Sequence, residues 1–205
     1  MTSLNTQIEH SLERIYTAKR WTKLIPRYTM TETNSNLFSD HLQLALKAAI
    51  QATEVFPVDS NLLPIDEEKS FSAFAIIQKS EDIQPATRFF TMLAQATEND
   101  CSVGYLDENI TKEELIDMKN NTESSEFILF ALYYKGRGYS NQLASPDKIN
   151  KIISELSNGK EKIVIFFGDP YISDNIDADA KIVAYSDSMA SLASVVMLLA
   201  DRKLL

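Results

Sequence analysis

Apolar positions divide the chain into two regimes. Between residues 4 and 24, Leu4, Ile8, Leu12 and Ile15 recur at three- and four-residue spacing, while Arg14, Lys19, Arg20 and Lys23 fall mostly elsewhere. That rhythm predicts an amphipathic helix. Pro26 stops it, and the polar stretch TMTETNSN follows as a linker. A second helix is expected from Ser39 or Asp40, with Leu42, Ala45, Leu46 and Ala49 forming a buried stripe.

From residue 71 the pattern changes to short apolar runs of strand length alternating with helices. FSAFAII (71–77), CSVGYL (101–106), EFILFALYY (126–134), KIVIFF (162–167) and KIVAY (181–185) read as strands. Pro85 fits the first turn of a helix carrying Phe89, Met92, Leu93 and Ala96. Thr111 and Glu114 have the T-x-x-E spacing of a capping box, opening a short helix through Lys119. Ser145 and Pro146 open another, which Gly159 ends. A final helix is expected from Asp187, with Leu192, Val195, Val196 and Leu199 on one face.

The runs at 126 and 162 are apolar on consecutive residues, which predicts strands covered on both faces. Such strands alternating with helices imply right-handed βαβ units. The expectation is an α/β three-layer sandwich whose mostly parallel sheet has about five or six strands, over residues 37–205. Residues 1–36 precede it as a helical lead-in and linker.

Composition then removes several function classes. Lysine and arginine total 20 against 29 aspartates and glutamates, a net charge of −9. No basic patch offsets it, so nucleic-acid binding is disfavoured. Average glycine usage of about 7% would give about 14, whereas there are five; neither a dinucleotide fingerprint nor a P-loop can be drawn. A single cysteine, Cys101, excludes an internal disulfide framework and a Cys-based zinc site. His10 and His41 have no ligand spacing, so neither a metal nor another cofactor is expected. No apolar run reaches 18 residues, so no membrane span is expected. The N-terminus lacks a secretory pattern; a complete chain of this kind belongs in the cytoplasm, whereas for a fragment the compartment stays open.

An open parallel sheet binds ligands outside the carboxyl ends of its strands. Two loops there carry candidate chemistry. After the third strand come Lys135, Gly136, Arg137, Gly138 and Tyr139; after the fourth come Gly168, Asp169, Pro170 and Tyr171. Arginine offers a planar fork of donors and tyrosine an apolar face with a polar tip. The plainer reading of the first is a solvated, glycine-flanked loop. The plainer reading of Asp169 is a turn, with Pro170 fixing φ and the carboxylate accepting backbone N–H groups; contact with a sugar or partner domain is the alternative. Asp174, Asp177 and Asp179 lack the glycine and glutamate of a calcium loop and read as a charged turn.

Those loops and their strands resemble the C-terminal α/β domain of glycoside hydrolase family 3, most of all its β-N-acetylhexosaminidase-like branch. Lys135 and Gly136 match the family's strand-to-Lys-Gly loop. Gly168-Asp169-Pro170-Tyr171 is similar to its G-N-P-Y, with Asp169 in place of the usual Asn, and Ala184-Tyr185 matches the A-Y before its closing helix. The family's terminal F-G is replaced by Ala200 and Asp201. Towards the front, Ser11, Arg14, Ile15 and Lys19 match a pattern on the last barrel helix, and Asn61-Leu62-Leu63-Pro64-Ile65 is similar to N-x-x-L-P-L. The resemblance runs from about residue 8 to the end.

It implies a glycosidase relative lacking its catalytic part. Family members use a carboxylate nucleophile in an N-terminal (β/α)8 barrel, which takes about 250 residues. The barrel's K-H-F-P-G-H-G motif, its S-D-A-type nucleophile segment and the branch's His-Asp acid pair have no counterpart. No catalytic residue is therefore carried onto this chain. The implied role is an accessory domain that packs on a barrel and lends loops to its rim. The implied partners are a barrel domain or protein, or a second copy of the chain, and an amino-sugar-containing carbohydrate. The alternative is a free-standing scaffold that uses Lys135, Gly136, Arg137, Tyr139 and Gly168 to Tyr171 to bind carbohydrate or protein.

Overall fold

The computed structural model describes residues 2–24, 35–57, 61–66, 68–97, 101–107, 110–135 and 145–201. The chain divides into two compact units, residues 1–39 and 40–205. The first contains helix α1 (Thr2–Leu24) and the start of α2 (Ser35–Ala52). α2 begins about one turn before the point the sequence pattern marks. Its expected stripe is covered only near the end: Leu42 and Ala45 are exposed, whereas Leu46, Ala49 and Ile50 are half-buried.

The second unit is built on six strands. These are β1 (Glu54–Phe56), β2 (Phe71–Ile77), β3 (Ser102–Leu106), β4 (Phe127–Tyr133), β5 (Glu161–Phe166) and β6 (Ala180–Val183). Their order is β1-β6-β5-β4-β2-β3, with every pairing parallel except β1 against β6. Helices α3 (Ile83–Thr97) and α6 (Met189–Leu199) cover one face; α4 (Lys112–Asn121) and α5 (Pro146–Ser157) cover the other. This is the expected three-layer α/β sandwich.

Alternation along the strands sorts two cores. On β4, Phe127, Leu129, Ala131 and Tyr133 pack with α3 and α6, while Ile128, Phe130 and Leu132 pack with α5. All seven residues of β2 and of β4 are buried, as their unbroken apolar runs require. The helix ends follow local chemistry. Thr111 Oγ1 accepts from Glu114 N at 3.2 Å, and Glu114 Oε2 accepts from Thr111 N at 2.9 Å, closing the capping box. α5 starts on the Ser145 cap with Pro146 in its first turn and stops at Asn158 (φ 50°) and Gly159 (φ 83°), both left-handed.

Two details depart from the sequence pattern. β1 is an unpredicted antiparallel edge strand, too short to show a period. The last helix begins at Met189 rather than Asp187, because Ser188 Oγ takes the cap by accepting from Ser191 N at 3.3 Å. That leaves Asp187 in the loop.

Candidate functional site

β2 is followed by α3 on one face and β4 by α5 on the other, so the sheet's switch point lies between two neighbouring strands. Ligand crevices form outside the carboxyl ends of strands at such points. Three exits converge there. β2 continues into Gln78 and a short 3-10 turn, Ser80–Asp82; β4 runs into Lys135; and Asp187 follows β6.

Lys135 joins them. Its Nζ lies 3.0 Å from Asp82 Oδ1 and 2.7 Å from Asp187 Oδ2, and its backbone N–H donates to Gln78 Oε1 at 3.2 Å. The Asp82 side chain is 3% exposed, that of Lys135 39%. Partial burial alone lowers the Lys135 pKa, but hydrogen bonds to Asp187 and Asp82, with their charges, outweigh it and raise the pKa above 10.5. Lys135 is therefore a fixed cation at neutral pH, suited to holding loops together or meeting an acceptor, and unsuited to act as a base.

Beneath it, Tyr133 is fully buried and stacks on Phe167 at 5.1 Å. Burial first, then the charge of Asp187, the Tyr105 phenol and the charge of Asp82, push the Tyr133 pKa up. Tyr133 Oη and Gln78 Nε2 are buried and meet no hydrogen-bonding partner among the described residues.

The second loop is shaped by contact with the first. Gly168 adopts φ 143°, and a Cβ there would lie 2.1 Å from Tyr134 O, so only glycine fits. The next residue extends the β4–β5 pairing, Asp169 N donating to Tyr134 O at 2.8 Å. Asp169 Oδ1 accepts from Tyr171 N at 3.0 Å and caps a 3-10 turn, Pro170–Asn175. The Asp169 carboxylate is thus spent on its own turn, while Tyr171 is 81% exposed. Of the acidic run, Asp177 Oδ2 pairs with Lys162 Nζ at 3.1 Å and Asp179 Oδ2 accepts from Lys162 N at 2.9 Å.

Tyr185, just past β6, is non-glycine yet left-handed at φ 61°, a conformation costing about 1–2 kcal/mol. Its hydroxyl donates to Glu54 Oε1 at 2.8 Å, which, followed by burial and nearby charge, raises its pKa.

The structure therefore places Lys135 at the switch point, paired with Asp82 and Asp187, and sets Gly168, Asp169, Pro170 and Tyr171 on the next strand exit. Gly136, Arg137 and Tyr139 lie outside the described residues. Gln78, Asp82 and Asp187 were not among the sequence candidates. The rule that ligands sit at strand ends covers them, but their loops lack the glycines that drew attention to the other two.

No protein-family model matches the sequence, and neither does any curated protein. The fold does match solved structures. A glycoside hydrolase family 3 β-N-acetylglucosaminidase from Paenibacillus sp. str. FPU-7 superposes with a TM-score of 0.70 over 97% of this chain and 38% of that one, at 14% identity. The fold is shared. A β-glucosidase from Listeria innocua in complex with isofagomine gives 0.64 over 87% and 28%, at 16% identity. The β-glucoside phosphorylase BglX gives 0.58 over 80% and 30%, at 15% identity. This chain spans well under half the length of each.

Proposed function

We propose that this chain is the accessory, non-catalytic C-terminal α/β domain of a family 3 glycosidase of the β-N-acetylhexosaminidase-like branch. It packs on a (β/α)8 barrel and lends its strand-exit loops to the rim of that active site. The observation that carries this reading is asymmetric coverage: 97% of this chain corresponds to 38% of an enzyme of that kind. The order of the Lys135-Gly136, Gly168-Asp169-Pro170-Tyr171 and Ala184-Tyr185 motifs agrees with it. Within its own unit, α1 leaves Ile8, Leu12 and Ile15 each about half exposed, an apolar stripe suited to a larger neighbour.

Reading the source genome tests it. A barrel is expected in the same frame or in a neighbouring one, and the separately expressed barrel should sediment as a 1:1 complex with this chain. A genome with no such barrel, or a barrel that fails to associate, contradicts the proposal. A second reading, a free-standing carbohydrate- or protein-binding scaffold, is favoured by the exposed Tyr171 ring, and it predicts normal behaviour without any barrel.

A further inference from the structure

One layer of the sandwich is thinly built. α3, α5 and α6 each bury several residues, whereas α4 buries none. Leu115 and Met118 are only partly buried against the core, and Ile116 is 58% exposed. Lys112, Leu115 and Ile116 share one face of α4 at i, i+3 and i+4 spacing, and Lys148, Lys151, Ile152 and Glu155 share one face of α5. These two faces line a groove of about 530 Å³ between the helices. That volume lies within the range of ligand pockets, about 300 to 1,000 Å³.

The apolar part of the groove is Ile110, Leu115, Ile116 and Ile152. Its charged part runs against the rest of the molecule. Lys112 stands on one wall and Lys148 and Lys151 on the other, and among the described residues Glu155 is the one acid in the lining. Glu155 Oε1 lies 3.9 Å from Lys151 Nζ, so its charge is offset within the groove itself. Glu113, Asp117 and Asp147 belong to the same helices but do not line it. A cationic rim on a chain of net charge −9 is a local inversion of sign. Potentials of that kind select a partner of opposite charge and steer its approach.

We infer that the groove between α4 and α5 docks an amphipathic helix of another protein, one with an apolar stripe and carboxylates on both flanks. A helix laid in a groove turns its i, i+3, i+4 and i+7 anchors inwards, where Leu115, Ile116 and Ile152 meet them. Its flanks then face the two walls, and a lysine stands on each. Lysine stems cover apolar surface while their ammonium groups reach outwards to carboxylates. An extended segment turns alternate side chains to opposite faces and offers no such pair of flanks. The net charge makes two copies of the chain repel one another and repels an anionic bilayer, so neither is the favoured occupant. The groove shares no residue with the strand-exit loops of Lys135, Asp169 and Asp187, and the inference stands or falls separately from the accessory role.

The test is an amide-shift titration of the full chain with a synthetic helical peptide of about 14 residues, carrying leucines at i, i+3, i+4 and i+7 and glutamates on both flanks. A control peptide has lysines in place of the glutamates. Saturable shifts centred on residues 110–119 and 148–155 are expected with the acidic peptide and not with the control. Ile116→Ser should weaken binding about tenfold, and Lys148→Glu combined with Lys151→Glu by at least about tenfold. All three positions are exposed, so these variants keep the fold. Raising the salt from about 0.05 to 0.5 M should weaken the wild-type complex and leave the charge-reversed variant little changed. Absence of saturation up to about 1 mM peptide, shifts centred elsewhere, equal binding of the control, or affinity unchanged in both variants would each overturn the assignment. So would a dimer of the chain that Ile116→Ser dissolves, or adsorption to phosphatidylglycerol vesicles that it abolishes, since either gives the groove a different occupant.

Discussion

Replacing Lys135 by methionine isolates the charge cluster at the switch point. The apolar stem is kept while the ammonium that holds Asp82 and Asp187 is removed. Breaking a fully buried ion pair costs about 3–5 kcal/mol, because it strands an uncompensated charge. Here Asp82 is buried but Lys135 is partly exposed, so water moderates the loss and about 2 kcal/mol is expected. For a chain of this size that is about 4–8 °C in Tm. Urea unfolding of both proteins at pH 7 reads the difference directly. A loss below about 0.5 kcal/mol, typical of an exposed pair, would refute the reasoning.

Further outcomes follow from single residues. Gly168→Ala places a methyl group against Tyr134 O on a backbone that disfavours side chains; it should cost about 2–3 kcal/mol by urea titration. Thr111→Ala removes the capping box of α4 and should cost about 1 kcal/mol, with hydrogen-exchange protection lost first at Lys112–Glu114. Glu114, whose pKa is lowered by its hydrogen bonds to the Thr111 backbone and side chain, lends stability present above its unfolded value of 4.5 and lost as pH falls through the lower folded one. The raised Lys135 pKa works in the opposite direction: its contribution is complete below 10.5 and is lost as pH climbs through the folded value. An alkaline unfolding series should therefore show a descending limb that Lys135→Met lacks.

The fold was legible where burial writes itself into consecutive residues. FSAFAII occupies β2 from end to end, and FILFALY fills β4, because strands covered on both faces admit no polar alternation. Helix ends were legible where a side chain closes its own cap, as at Thr111 and Ser145. β1 was not, since three residues on a sheet edge carry no period, and their pairing depends on β6, more than 120 residues away in the chain. The candidate site was legible only in part for the same reason. Lys135 and the Gly168 loop stand out locally, but Asp82 sits in a polar run, QKSED, that reads as solvated surface. Its burial follows from the neighbourhood of β2 and β4, which strand order decides. Tyr185 likewise gives no local sign of a left-handed backbone, because its hydroxyl is anchored to Glu54 across the β1–β6 pair.

The central claim is that sugar cleavage belongs to a barrel rather than to this chain. Its most direct test is turnover of an aryl β-N-acetylglucosaminide by the purified protein, followed by progress curves at stoichiometric enzyme. The account predicts no release of the aryl group above the buffer rate until a barrel is added. Sustained multiple turnover by the chain alone, proportional to its concentration and retained through repeated purification, would contradict it.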